Sequence, residues 1–116
     1  MNFGIPLVTI NQLAEIDELS NKPRINGVLI FKHSTRCSVS FFALKHLISE
    51  WNFHETEVPV YFLDLLSYRA ISNQIAVHYG IEHESPQILL IKKGKCVGNA
   101  SHNFVSVNTV QGWLNG

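Results

Sequence analysis

Val28-Leu29-Ile30-Phe31-Lys32-His33-Ser34-Thr35-Arg36-Cys37-Ser38-Val39-Ser40 runs from an unbroken apolar stretch, through a short polar loop, into a segment of helical periodicity. Val28 to Phe31 shows no polar alternation, the pattern of a strand covered on both faces. From Ser38 to Trp51 the apolar positions Phe41, Leu44, Ile48 and Trp51 recur at spacings of three and four, which predicts a helix burying one stripe. Cys37 therefore falls where a buried strand gives way to a helix N-terminus.

The flanking sequence repeats this alternation. Val60 to Leu63 and Ile88 to Ile91 read as further central strands, and Tyr68 to Tyr79, with Ile71, Ile75 and Tyr79 in register, reads as a helix between them. Toward the N-terminus, Leu7-Val8-Thr9-Ile10 predicts a first strand and Asn11 to Ser20 a helix carrying Leu13, Ile16 and Leu19, ended by Asn21-Lys22-Pro23. Toward the C-terminus, Lys92-Lys93-Gly94-Lys95 predicts the turn of a hairpin continued by Cys96-Val97, and about Val105 to Leu114 a closing helix. The order βαβαβαββα implies an α/β protein with a mixed central sheet flanked by helices, and the small fold with that order is thioredoxin-like. No repeat or linker divides residues 1–116, so a single thioredoxin-like domain is expected.

Composition narrows the partners. Nine Lys plus Arg balance nine Asp plus Glu, so the general attraction to nucleic acid or to anionic membrane is missing, and no aromatic-plus-basic stripe replaces it. Apolar runs of four or five residues fall far short of the ~20 that a membrane helix needs. Met1 to Pro6 has no basic start and a proline where a leader's apolar segment would build, so a cytoplasmic protein is expected. There, the two cysteines, Cys37 and Cys96, are expected to stay reduced. Asn99-Ala100-Ser101 matches a glycosylation sequon and is read as coincidence.

Cys37 is the residue with chemistry to offer. Only a thiolate attacks a disulfide, and unpaired N–H groups at a helix start stabilise one. Arg36 and His33 add cationic or hydrogen-bonding help, and Ser40, one turn on, is placed to donate its hydroxyl to the sulfur. Cys37 is therefore expected to ionise more readily than an ordinary cysteine. The plain alternative is a buried, inert small hydrophobe. Cys96, on the predicted hairpin, is read as filling a strand, with a resolving role as the alternative. The six histidines, at 33, 46, 54, 78, 83 and 102, lack the short paired spacings of zinc sites, so surface positions and no metal are expected. His83, before Pro86, either touches a substrate or only adds loop polarity. Phe41 and Trp51 are read as core.

Two segments carry a family resemblance. Asn73-Gln74-Ile75-Ala76 through Tyr79-Gly80-Ile81, Ser85-Pro86-Gln87-Ile88-Leu89-Leu90 and Lys93-Gly94-Lys95-Cys96-Val97-Gly98 resemble the second half of a thioredoxin, which implies a cis proline at Pro86 facing the active cysteine. The thioredoxin Cys-x-x-Cys stands here as Cys37-Ser38-Val39-Ser40, a hydroxyl replacing the resolving thiol, and Phe31 occupies the place of the thioredoxin buried acid. Together with Lys32-His33-Ser34-Thr35 these features resemble the monothiol bacilliredoxin (YtxJ-like) family. That family usually has Thr-Cys-Pro-Ile-Ser where this chain has Arg36-Cys37-Ser38-Val39-Ser40.

The resemblance implies a monothiol thiol–disulfide oxidoreductase that removes bacillithiol from protein mixed disulfides. Cys37 and Ser40 would be its catalytic residues, and His33, Thr35, Arg36, Ser38, Ser85, Pro86 and Gln87 would contact the substrate. It implies no bound cofactor, bacillithiol as co-substrate, and bacillithiolated client proteins and a small-molecule thiol as partners of a monomer. A reductant using another small thiol, a glutaredoxin-like iron–sulfur carrier and a redox-inert binding module remain the alternatives.

Overall fold

Val28–His33 has no exposed face: all six residues are buried, and alternate side chains feed two separate cores. A computed structural model describes residues 3–116. Its elements are β1 (Ile5–Pro6), α1 (Gln12–Ser20), β2 (Val28–His33), α2 (Ser38–Glu50), β3 (Val60–Asp64), α3 (Arg69–Tyr79), β4 (Gln87–Lys92), β5 (Lys95–Ser101) and α4 (Val107–Asn115). A 3-10 turn at His102–Phe104 precedes α4. The five strands lie in the order β1-β3-β2-β4-β5, with β1, β3 and β2 mutually parallel, β4 antiparallel to β2, and β5 antiparallel to β4. This is the thioredoxin-like α/β architecture that the element order predicts.

Leu29 and Phe31 pack with Leu44 and Leu47 of α2, Ile88 and Leu90 of β4, and Val107 and Val110 of α4. Val28 and Ile30 pack on the other side with Leu13 and Ile16 of α1 and Ile71 and Ile75 of α3. Each fully buried aliphatic side chain contributes roughly 1.5–3 kcal/mol, so the two faces of β2 hold both helix layers to the sheet. In the hairpin, Lys93 and Gly94 both have positive φ, 51° and 75°, the geometry of a two-residue turn between antiparallel strands. At Gly98 the Trp113 ring of α4 lies so close that a Cβ would meet it at 2.3 Å, so only glycine lets α4 settle on β5 there. No helix among the described residues is long and apolar enough to cross a membrane.

Three expectations are corrected. The first strand is Ile5–Pro6, not Leu7–Ile10; Leu7 adds one bond to Phe62 O at 2.8 Å and the chain then turns. Gln12 causes the turn, since its amide oxygen accepts from Val8 and Thr9 N–H at 2.7 and 3.0 Å and its amide NH2 donates to Pro6 O at 2.9 Å. Phe41 is 44% exposed rather than core, because Ser40, one residue earlier, turns inward with Leu44 and Leu47. Finally, α4 starts at Val107, where the Ser106 hydroxyl caps it by accepting Thr109 N–H at 3.2 Å.

Candidate active site

Strand register brings the Cys37 loop and the Ser85-Pro86-Gln87 segment to one end of the sheet. Lys32 of β2 pairs with Gln87 of β4, and Gln87 with Ser101 of β5. The loop leaving β2 toward Cys37, the loop entering β4 through Pro86 and the turn after β5 therefore meet at the same edge. His102 N–H donates to Pro86 O at 3.2 Å, tying two of these loops together. The Ser85–Pro86 peptide bond is cis.

Cys37 is the N-cap of α2, a free and half-buried thiol with extended backbone, φ −108° and ψ 118°. Its own N–H donates to Ser34 O at 3.2 Å, and its carbonyl accepts the first helical bond from Phe41 N–H at 3.0 Å. The N–H groups of residues 38–40 precede that first bond, so helix geometry gives them no carbonyl partner. They form a small electropositive helix end, to which the Cys37 side chain makes no hydrogen bond.

Ser40 is fully buried, and its hydroxyl serves the loop rather than the sulfur. Its Oγ accepts Ser34 N–H at 3.1 Å and lies 2.6 Å from His33 Nδ1, and among the described residues it makes no bond to Cys37. This corrects the expectation that Ser40 donates to the thiolate. The physical cause is the inward turn of position 40, which places the hydroxyl over the end of β2.

His33, expected to meet the substrate, is 5% exposed, its ring packed against Phe31 and Phe62. Burial lowers its pKa more than nearby Asp64 and the Ser40 bond raise it, so the ring is neutral at neutral pH. β2 runs on through His33 and so carries it into the interior. Gln87 likewise has its side chain buried. It opens β4, a strand flanked on both sides, and its buried amide turns back on the chain, donating to Glu82 O at 3.0 Å and accepting Glu84 N–H at 3.4 Å.

Of the remaining expected contacts, three stay at the surface. Thr35, Arg36 and Ser38 are exposed around Cys37, and Arg36 makes no ion pair among the described residues. Pro86 is buried, while Ser85 is half-buried with a hydroxyl that is out of solvent and has no hydrogen-bond partner. Exposed apolar residues gather at this end: Val39, Phe41 and Phe42 in the first turns of α2, Leu66 and Tyr68 after β3, and Phe104 after β5.

Cys96 sits at the opposite end. It pairs with Ile91, which pairs with Val28 at the start of β2, four strand residues or roughly 13 Å from the Lys32 row. A disulfide needs Cα atoms within about 7 Å, so Cys37 and Cys96 cannot join within one chain of this fold. Cys96 donates instead to Gly98 O at 3.2 Å, and burial raises its pKa.

Lys32, which motif spacing alone does not single out, is fully buried next to Gln87. The signal was available: a lysine in a strand whose neighbours on both sides are buried must itself point into a helix-covered face.

The family model described as monothiol bacilliredoxin BrxC matches residues 5–110 of the chain. Among solved structures, a protein provisionally described as an oxidoreductase with a thioredoxin fold is 27% identical, with a TM-score of 0.77, covering 94% of this chain and 91% of that one. A thioredoxin from Malassezia sympodialis is 15% identical, with a TM-score of 0.68 over 99% of this chain and 90% of that one. Thioredoxin from Trypanosoma brucei brucei is 12% identical, with a TM-score of 0.69 over 97% and 88%. The two thioredoxins are likenesses of fold alone.

Proposed function

The chain belongs to the monothiol bacilliredoxin family and is a thiol oxidoreductase of thioredoxin fold, and from this premise we propose that it removes bacillithiol from protein mixed disulfides through Cys37. One observation carries the reading. A half-buried thiol stands at a helix N-terminus, position 40 holds a hydroxyl, and the only other cysteine is at the far end of the sheet.

The Cys37 thiolate attacks the bacillithiol sulfur of the client's mixed disulfide. A Cys37–bacillithiol disulfide forms as the client's cysteine leaves as a thiolate and takes a proton from solvent. With no internal thiol in reach, a second bacillithiol thiolate must attack the bacillithiol sulfur of that disulfide, releasing bacillithiol disulfide and restoring the Cys37 thiolate.

Protein-sized clients are favoured by the exposed apolar rim around Cys37, in which Phe42 is 65% and Phe104 71% exposed. The buried, unpartnered Ser85 hydroxyl beside Pro86 favours a substrate group that completes its hydrogen bonding. Exposed Thr35, Arg36 and Ser38 supply polar contacts on the other side of the sulfur. The protein would act in the cytoplasm as a monomer, with bacillithiol as co-substrate and no bound cofactor.

Intact mass after exposure to bacillithiol disulfide tests the site, with one adduct expected, on Cys37. Paired bacillithiolated and glutathionylated clients test the thiol: release of the glutathionylated client alone would sink the bacillithiol assignment.

A further inference from the structure

Lys32 leaves β2 on the face opposite His33, among the side chains under α1 and α3, and is fully buried. No carboxylate pairs with it among the described residues. Its ammonium donates to Ser72 O of α3 at 3.3 Å and to His83 Nδ1 at 3.4 Å, while the Ser72 hydroxyl lies 3.1 Å from the same ring nitrogen. Arg69 and Glu84 are the other charges that act on His83. Burial pulls the Lys32 pKa down to about 8, so the group is still mostly cationic at neutral pH and still a donor. An apolar side chain of the same length would fill this space without desolvating a charge. What the lysine adds is its two bonds, one to the first turns of α3 and one to the loop between α3 and β4.

That loop is also gripped from the neighbouring strand. Gln87, the cross-strand partner of Lys32, holds Glu82 O and Glu84 N–H. Two adjacent buried polar side chains thus fix residues 82–84, and the loop ends in Ser85 and Pro86 at the edge that carries Cys37.

We propose that Lys32 is a positioning residue, which by holding His83 and α3 sets the loop presenting Ser85 and Pro86, and so governs substrate binding rather than the reactivity of the thiol. The inference rests on the reading that disulfide substrates bind beside Pro86, and not on which small thiol they carry.

The test compares Lys32→Met, His83→Ala and the double variant in two measurements. One is peptide-level amide hydrogen exchange. The other is single-turnover reaction with a peptide–thionitrobenzoate mixed disulfide, from which Cys37 attack on the peptide sulfur releases the coloured thionitrobenzoate as leaving group. Lys32→Met is expected to raise exchange over residues 81–87 about tenfold, and the half-saturating substrate concentration about tenfold, with the limiting rate within about twofold. His83→Ala should move both in the same direction, and the double variant should add little to the larger single effect. Unchanged loop exchange and half-saturation would overturn the proposal, as would faster exchange spread evenly over α1 and β3, the mark of a merely structural role. Should Lys32→Met fail to fold, His83→Ala, altered in an exposed loop, decides alone. If the wild-type protein releases no thionitrobenzoate, thiol exchange at Cys37 is refuted, while loop exchange still decides whether Lys32 holds the loop.

Discussion

His33 Nδ1 lies 2.6 Å from Ser40 Oγ, joining the last residue of β2 to the first turn of α2 across the loop that carries Cys37. The same oxygen takes Ser34 N–H at 3.1 Å, so a single buried hydroxyl closes that loop at both ends. Where a dithiol relative keeps its second sulfur, this chain keeps a brace. The sulfur at position 37 is thereby held at the helix end without a second thiol to turn on it.

Ser40→Ala should therefore be felt in stability. Both Ser34 N–H and the His33 ring would lose their partner inside the protein, at a cost of about 1–3 kcal/mol. Chemical denaturation measures it, and an unchanged midpoint would mean that the loop is braced elsewhere.

The two cysteines should separate cleanly. Cys37→Ser is expected to abolish the small-thiol adduct and turnover, while Cys96→Ser keeps both. Oxidised wild-type protein should show no Cys37–Cys96 bridge in a non-reducing peptide map, since the strand register holds the two at opposite ends of the sheet.

Ser38→Pro, which restores the family's usual residue after the cysteine, should be accepted. Ser38 is the first residue of α2, where a proline's missing N–H and fixed φ suit the helix. Thermal unfolding should show stability unchanged or raised by up to about 1 kcal/mol. A marked loss would show that the Ser38 N–H is needed.

Lys32 makes stability depend on alkaline pH. Its pKa is near 8 in the folded protein and 10.5 when unfolded, so between those values the unfolded chain holds the extra proton and stability rises with pH. Lys32→Met should remove that slope and add up to about 3 kcal/mol at pH 7. Denaturation curves of both proteins from pH 7 to 10 check it; parallel curves would show that the buried ammonium carries no such cost.

Much of the architecture is local and so legible in the chain. The apolar runs at Val28, Val60 and Ile88 and the four-residue spacings of Leu44 and Ile48 or Ile71 and Ile75 each report the period of their own element. The first strand escaped because Gln12 folds residues 8–11 through side-chain bonds that apolar patterning does not register. Phe41 escaped because period alone cannot tell which of two adjacent positions turns inward, and here a hydroxyl bonded to His33 took the inner place.

From the chain alone came the layered α/β order, the placing of Cys37 where a strand meets a helix, and the absence of a second thiol at position 40. Such features depend on residues near one another in sequence. Only the tertiary structure decided that His33 and Gln87 face inward, that Ser40 answers to His33, that Lys32 is buried beside the Pro86 loop, and that Cys96 is out of reach. Each of these follows from which strands lie side by side and in what register, an arrangement made by pairing segments tens of residues apart.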